Sequence, residues 1–157
     1  IHPGEDPDLS IRLKDMGYKL CLISKAYVYH KRRISFESFF LQVYRFGQVR
    51  PILNKWHPHS KKTAYWFPSF FTVGFLLSLL LLIFDFEWGF YIYAAYFFTA
   101  FLMALKSTVN IIVSLLCIPA ILIQFSGYGL GFLKSTLKLK LSRKHESTLF
   151  PKLFFKS

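Results

Sequence analysis

The sequence predicts an α/β fragment followed by α-helical membrane segments. Three observations lead there. Residues 1–34 carry a short helical pattern and then runs of aromatic and β-branched residues. Residues 63–84, 88–105 and 107–133 contain no Asp, Glu, Lys or Arg, and basic residues crowd the flanks of that apolar region. Each uncharged stretch reaches the roughly 18–20 residues that cross a bilayer core of about 30 Å. With 54% hydrophobic and 20% aromatic residues, the chain has too little polar surface to cover three such helices in water, so the membrane is their expected surroundings.

The elements follow in order. Asp6 precedes Pro7, and Leu9, Leu13 and Met16 recur at helical spacing until Gly17, which predicts a short helix with an Asp N-cap, Pro in its first turn and Gly beyond its end. Residues 18–23 and 26–30, around a Ser24-Lys25 break, have the composition of one or two short strands. A helix and strands so few cannot form a core alone, so residues 1–34 are expected to close the edge of a larger α/β domain. The chain starts at Ile1 with no targeting pattern, and it is expected to be the C-terminal part of a longer protein.

Ser35 then caps a helix whose Phe36, Phe39, Phe40 and Val43 share one apolar face, with Glu37 in its first turn. Arg45 and Arg50 make this an amphipathic helix suited to the membrane interface, and 51–62 follows as a polar, Pro-containing joint; together 35–62 form one unit. Residues 63–133 form the membrane unit. In its third stretch Pro119 removes a helical hydrogen bond, and Gly127, Gly129 and Gly131 loosen the end. That stretch is either re-entrant or a third crossing.

Residues 134–157 form a basic tail whose Phe-rich end is expected to lie against lipid. Twenty Lys and Arg against eight Asp and Glu give a net charge of +12, which raises the question of nucleic acid. The distribution answers against it. Basic residues cluster before the first apolar stretch and after the last, while the link Asp85-Phe86-Glu87 is acidic, so the positive-inside rule puts both ends in the cytoplasm of a multi-pass inner-membrane protein. Cys21 and Cys117 are too far apart in kind and place to suggest a disulfide or a metal site.

The chemistry-bearing residues lie ahead of the membrane unit. The string Gly4-Glu5-Asp6-Pro7-Asp8-Leu9-Ser10-Ile11-Arg12-Leu13, a histidine at His30 followed by Arg32 and Arg33, and then Gln42-Val43-Tyr44-Arg45-Phe46 together resemble the acceptor side of an inverting family 2 glycosyltransferase of the GT-A type. The resemblance covers residues 4 to about 50. It implies that Asp6 is the base that takes the acceptor proton, that Glu5 positions the acceptor, and that His30 helps hold a divalent metal, Mg or Mn, whose main ligands lie outside this chain. Gln42, Arg45 and Phe46 are similar to the Gln-x-x-Arg-Trp element of processive synthases, near the donor diphosphate and the acceptor sugar. Phe46 departs from that pattern with a smaller stacking face than Trp.

Arg is suited to bidentate phosphate contacts, so Arg32 and Arg33 clamp either a nucleotide or lipid-linked phosphate, or anionic lipid headgroups. A lone Glu-Asp is ordinarily just a helix start, and Asp8 with Arg12 reads as a surface pair. His57 and His59 read as joint residues. The resemblance thus implies sugar transfer from a nucleotide sugar to a lipid-linked or cell-envelope glycan acceptor. The rivals are a non-enzymatic membrane adaptor with a basic cytoplasmic face and a processive polysaccharide synthase.

Overall fold

Every regular element among the described residues, 1–29 and 35–154 of this computed structural model, is helical. The chain is all-α, and the α/β expectation is overturned. Residues 18–23 and 26–29 form no strand, and the hydrogen bond from Ala26 N–H to the Ile23 carbonyl closes a turn at Ser24 and Lys25 between them. Leu22, Val28 and Tyr29 are almost fully exposed. The physical reason is pairing: a strand's backbone groups need a neighbouring strand, and no other described segment supplies one.

Helix α1 spans Glu5–Asp15, α2 Phe36–Trp56, α3 Phe67–Leu81, α4 Trp88–Thr108, α5 Ile111–Leu141 and the single-turn α6 Glu146–Leu149. The N-cap of α1 is Gly4, two residues before Asp6, which lies inside the first turn with Glu5 and Asp8. Those three acids still complement the positive end of the helix dipole. Ser35 caps α2 as its sequence predicts, its hydroxyl accepting from the Ser38 N–H. The helix then runs through Pro51 to Trp56 instead of ending in a joint. An interior proline costs about 3 kcal/mol, but Pro51, Ile52 and Leu53 are all buried, and that packing holds the helix together.

Helices α3, α4 and α5, with the turns that flank α3, make three segments long and apolar enough to cross a membrane. Their outward faces carry exposed Leu76, Ile83, Ile92, Met103 and Ile112, a surface compatible with lipid contact. Phe71 sits where they meet, its ring against Tyr93, Tyr96 and Phe125. Pro119 does not interrupt α5, which continues unbroken for 31 residues, or about 46 Å at 1.5 Å per residue.

The glycines of α5 serve close packing, not loosening. A Cβ at Gly127 would meet Val43 and Phe40, and one at Gly131 would strike the Tyr44 carbonyl, so both face α2. Gly129 faces the other way, onto Pro68 and Ser69 of α3, where the Ser69 hydroxyl donates to the Gly129 carbonyl at 3.2 Å. On α2, Gly47 completes the crossing, since a Cβ there would strike the Tyr128 carbonyl. The Phe40–Val43 face read as a membrane-interface anchor is thus turned onto α5.

The segment after α5 folds back instead of trailing along lipid. Phe150 and Leu153 join Val49, Ile52 and Leu53 in one buried cluster. The Leu153 carbonyl accepts from His2 N–H at 2.7 Å. Glu146 is buried and takes Lys55 Nζ at 2.5 Å.

Two expectations follow. Gly131→Leu forces a side chain into backbone and should destabilise the detergent-solubilised chain by at least the ~1–3 kcal/mol typical of overpacking, read as a lowered Tm. Glu146 is held below its ordinary 4.5, first by the Lys55 hydrogen bond, against the opposing effect of burial. A depressed folded-state pKa stabilises above the ordinary value and loses that contribution as pH falls through the folded one. Amide protection over residues 146–154 should therefore fall as the medium is acidified below 4.5. In Glu146→Gln, protection should be weaker at neutral pH, by ~1–3 kcal/mol, and flatter with pH.

Candidate functional site

Residues 42, 45, 46, 49, 50 and 53 recur at helical spacing, so α2 presents Gln42, Arg45, Phe46, Val49, Arg50 and Leu53 along one side. Facing them is the start of α1. Gly4 has φ 131°, a conformation that favours glycine, and a Cβ there would also strike Val49. It lets the chain press directly against α2 before turning into the helix.

Between the two elements lies a cleft of about 480 Å³, with Tyr128 of α5 on its edge. That volume falls in the range of small-molecule sites, about 300–1,000 Å³. Glu5 and Asp6 line one wall; Gln42, Arg45, Phe46 and Arg50 line the other. Five residues singled out by sequence therefore share one cleft although 36 or more positions separate the two groups. His30, Arg32 and Arg33 lie outside the described residues.

Glu5 receives His2 Nδ1 at 2.8 Å. Its pKa is lowered, first by its own backbone N–H at the helix start and then by the His2 side chain. A carboxylate stabilised in its ionised form is a ready hydrogen-bond acceptor. Asp6 is exposed to the cleft beside it. The pair gives one wall hydrogen-bond acceptors, while Arg45 and Arg50 give the facing wall fixed positive charge.

What holds α1 in place was missed by sequence. The helix buries no residue of its own, so apolar packing does not anchor it. Instead Asp8, part-buried, accepts from His57 Nε2 at 2.7 Å while also pairing with Arg12 Nε at 3.2 Å, and Asp15 pairs with His59 Nε2 at 3.1 Å. The two histidines read as joint residues are the docking points for α1. Tyr128 and Arg50 were also missed. Arg50 lies over the Tyr65 ring at 4.4 Å, which fixes it at the boundary between this cleft and a neighbouring one lined by Lys14, His59, Lys62 and Tyr65.

Among the described residues no group of three or more His, Cys, Asp and Glu side chains could hold a metal ion. The resemblance puts the main ligands of its divalent metal outside this chain, and His30, the ligand it implies here, lies outside the described residues. No family model, curated protein or solved structure matches the chain.

Proposed function

We propose that the chain is the acceptor side of a membrane-associated, inverting family 2 glycosyltransferase. The observation that carries this reading is the convergence of Glu5, Asp6, Gln42, Arg45 and Phe46 on one cleft. In this reading the acceptor hydroxyl lies between Glu5, which binds it, and Asp6, which takes its proton. The acceptor oxygen forms the new bond to the anomeric carbon as the bond from that carbon to the diphosphate oxygen breaks, the electron pair leaving with the diphosphate. Arg45 balances negative charge as it develops, in a site where fixed donors need not reorganise. Phe46 offers an apolar face to the sugar ring, and Gln42 a polar contact. The donor is a nucleotide sugar and the acceptor a lipid-linked or envelope glycan. Residues beyond those described would hold the donor's diphosphate and any Mg or Mn with it.

The charge pattern supports a cytoplasmic site at a bacterial inner membrane, with the Asp85–Glu87 link on the far side. The basic excess after Lys134 opposes moving that end across.

Membranes carrying the full-length protein, supplied with labelled nucleotide sugars, should transfer label to the lipid or glycan fraction. Asp6→Asn should lower that rate by about 100- to 10,000-fold, the usual contribution of a general base, while leaving nucleotide binding nearly intact. Retention of more than about a third of the rate, a far smaller loss than a missing base produces, overturns the assignment. For topology, cysteines are introduced singly in a background lacking Cys21 and Cys117. Phe86→Cys should react with an impermeant thiol reagent in intact cells, and Ser142→Cys should not. Labelling at position 142 from outside would show that the chain ends on the opposite face.

A further inference from the structure

A second cleft, of about 410 Å³, opens where α2, the end of α5 and the folded-back C-terminal segment meet. Four cations line it, Arg45, Lys134, Lys138 and Lys152, and no Asp or Glu does. None of the four pairs with a carboxylate among the described residues. Two of them stand over aromatic rings, Lys134 Nζ 5.8 Å from the Tyr44 ring centre and Lys138 Nζ 5.6 Å from that of Phe150. The rest of the lining is largely apolar, with Leu41, Leu149, Phe150 and Leu153. The cleft thus combines concentrated positive charge with hydrocarbon-compatible walls.

Its depth relative to a bilayer follows from α5. Residues 107–133 contain no charged side chain, and Lys134 is the first cation after them. Lys134 and Lys138, one turn apart, therefore stand where an apolar segment gives way to the headgroup layer. A soluble anion would have no use for the apolar walls, whereas a lipid brings both a phosphate and acyl chains.

We propose that this cleft binds the phosphate headgroup of an anionic membrane lipid, with Lys134, Lys138, Lys152 and Arg45 around the phosphate and the acyl chains leaving along Leu41 and the outer face of α5. The site shares Arg45 with the Glu5–Asp6 cleft and otherwise has its own lining, and it stands whether or not the chain transfers sugar. The Lys55–Glu146 ion pair and the buried Phe150 fix the segment that forms its outer wall.

The test uses the full chain in neutral detergent, with fluorescent phosphatidylglycerol as probe, phosphatidylcholine as the uncharged comparison and inorganic phosphate as competitor. The triple variant Lys134→Gln, Lys138→Gln, Lys152→Gln should lower phosphatidylglycerol affinity by about tenfold or more, given the contribution of each basic residue near an anionic headgroup. The matched variant Lys140→Gln, Arg143→Gln, Lys144→Gln removes the same charge from the same end of α5 outside the cleft, and should change affinity less than about twofold. Excess inorganic phosphate should not displace the lipid. Equal loss in the two variants would reduce the effect to diffuse charge and overturn the proposal. Equal binding of phosphatidylcholine, or ready displacement by phosphate, would overturn it as well. If the triple variant loses its helical circular dichroism, Lys152→Gln alone decides: a loss of about threefold supports the site, and none overturns it.

Discussion

The structure depends on one close crossing, α2 against α5, where backbone meets backbone at Gly47 and Gly131 and the side chains of Val43 and Phe40 fill the space over Gly127. Gly47, Gly127 and Gly131 make it possible. Without a hydrophobic driving force between helices in lipid, small residues let two helices gain contact by close approach, and here the same device ties a helix rich in polar residues to one long enough to cross the membrane. One wall of the main cleft and its Tyr128 edge are hung from this crossing. α2 supplies one wall, Tyr128 of α5 an edge, and the segment from Gly4 to Asp6 rests on Val49.

Helix α1 is held by a different kind of force. α1 has no buried residue, and its position relies on Asp8 and Asp15 reaching His57 and His59. Exposed pairs contribute little in water, but Asp8 and His57 are mostly buried, and hydrogen bonding between charged and polar groups is stronger there. The wall carrying Glu5 and Asp6 is thus positioned by histidine chemistry, whereas the wall carrying Arg45 is positioned by helix packing.

Much of this could be read from the chain and some could not, for identifiable reasons. The three apolar helices follow from runs free of charge, and the Ser35 cap from a short polar side chain ahead of an amphipathic repeat. Both are local signals. The stretch 18–29 misled because β-branched and aromatic residues indicate strand only when a partner strand exists. Gly127, Gly129 and Gly131 misled because glycine marks a loop and a close helix contact alike, and only the neighbour tells which. Asp8 and His57 are 49 positions apart, so spacing within a motif could not join them. The fold-back of Phe150 and Leu153 likewise depends on Val49, Ile52 and Leu53, an apolar patch of α2 that joins them in one buried cluster. The carboxylate and Gln-x-x-Arg strings, by contrast, stood out individually, and only their meeting in one cleft required the fold.

The alternation of glycines along α5 has a mechanical consequence. Successive helical residues are turned by about 100°, so Gly127 and Gly131 press on α2 while Gly129 presses on α3 from nearly the opposite side. At Gly129 and Gly131 the nearest facing atoms are backbone, which has no rotamer to absorb a displacement, and packed protein interiors compress little. α5 therefore works as a stiff spacer. A sideways displacement of α3 meets peptide backbone at Gly129 of α5 before it reaches α2, the helix that carries Gln42, Arg45 and Phe46.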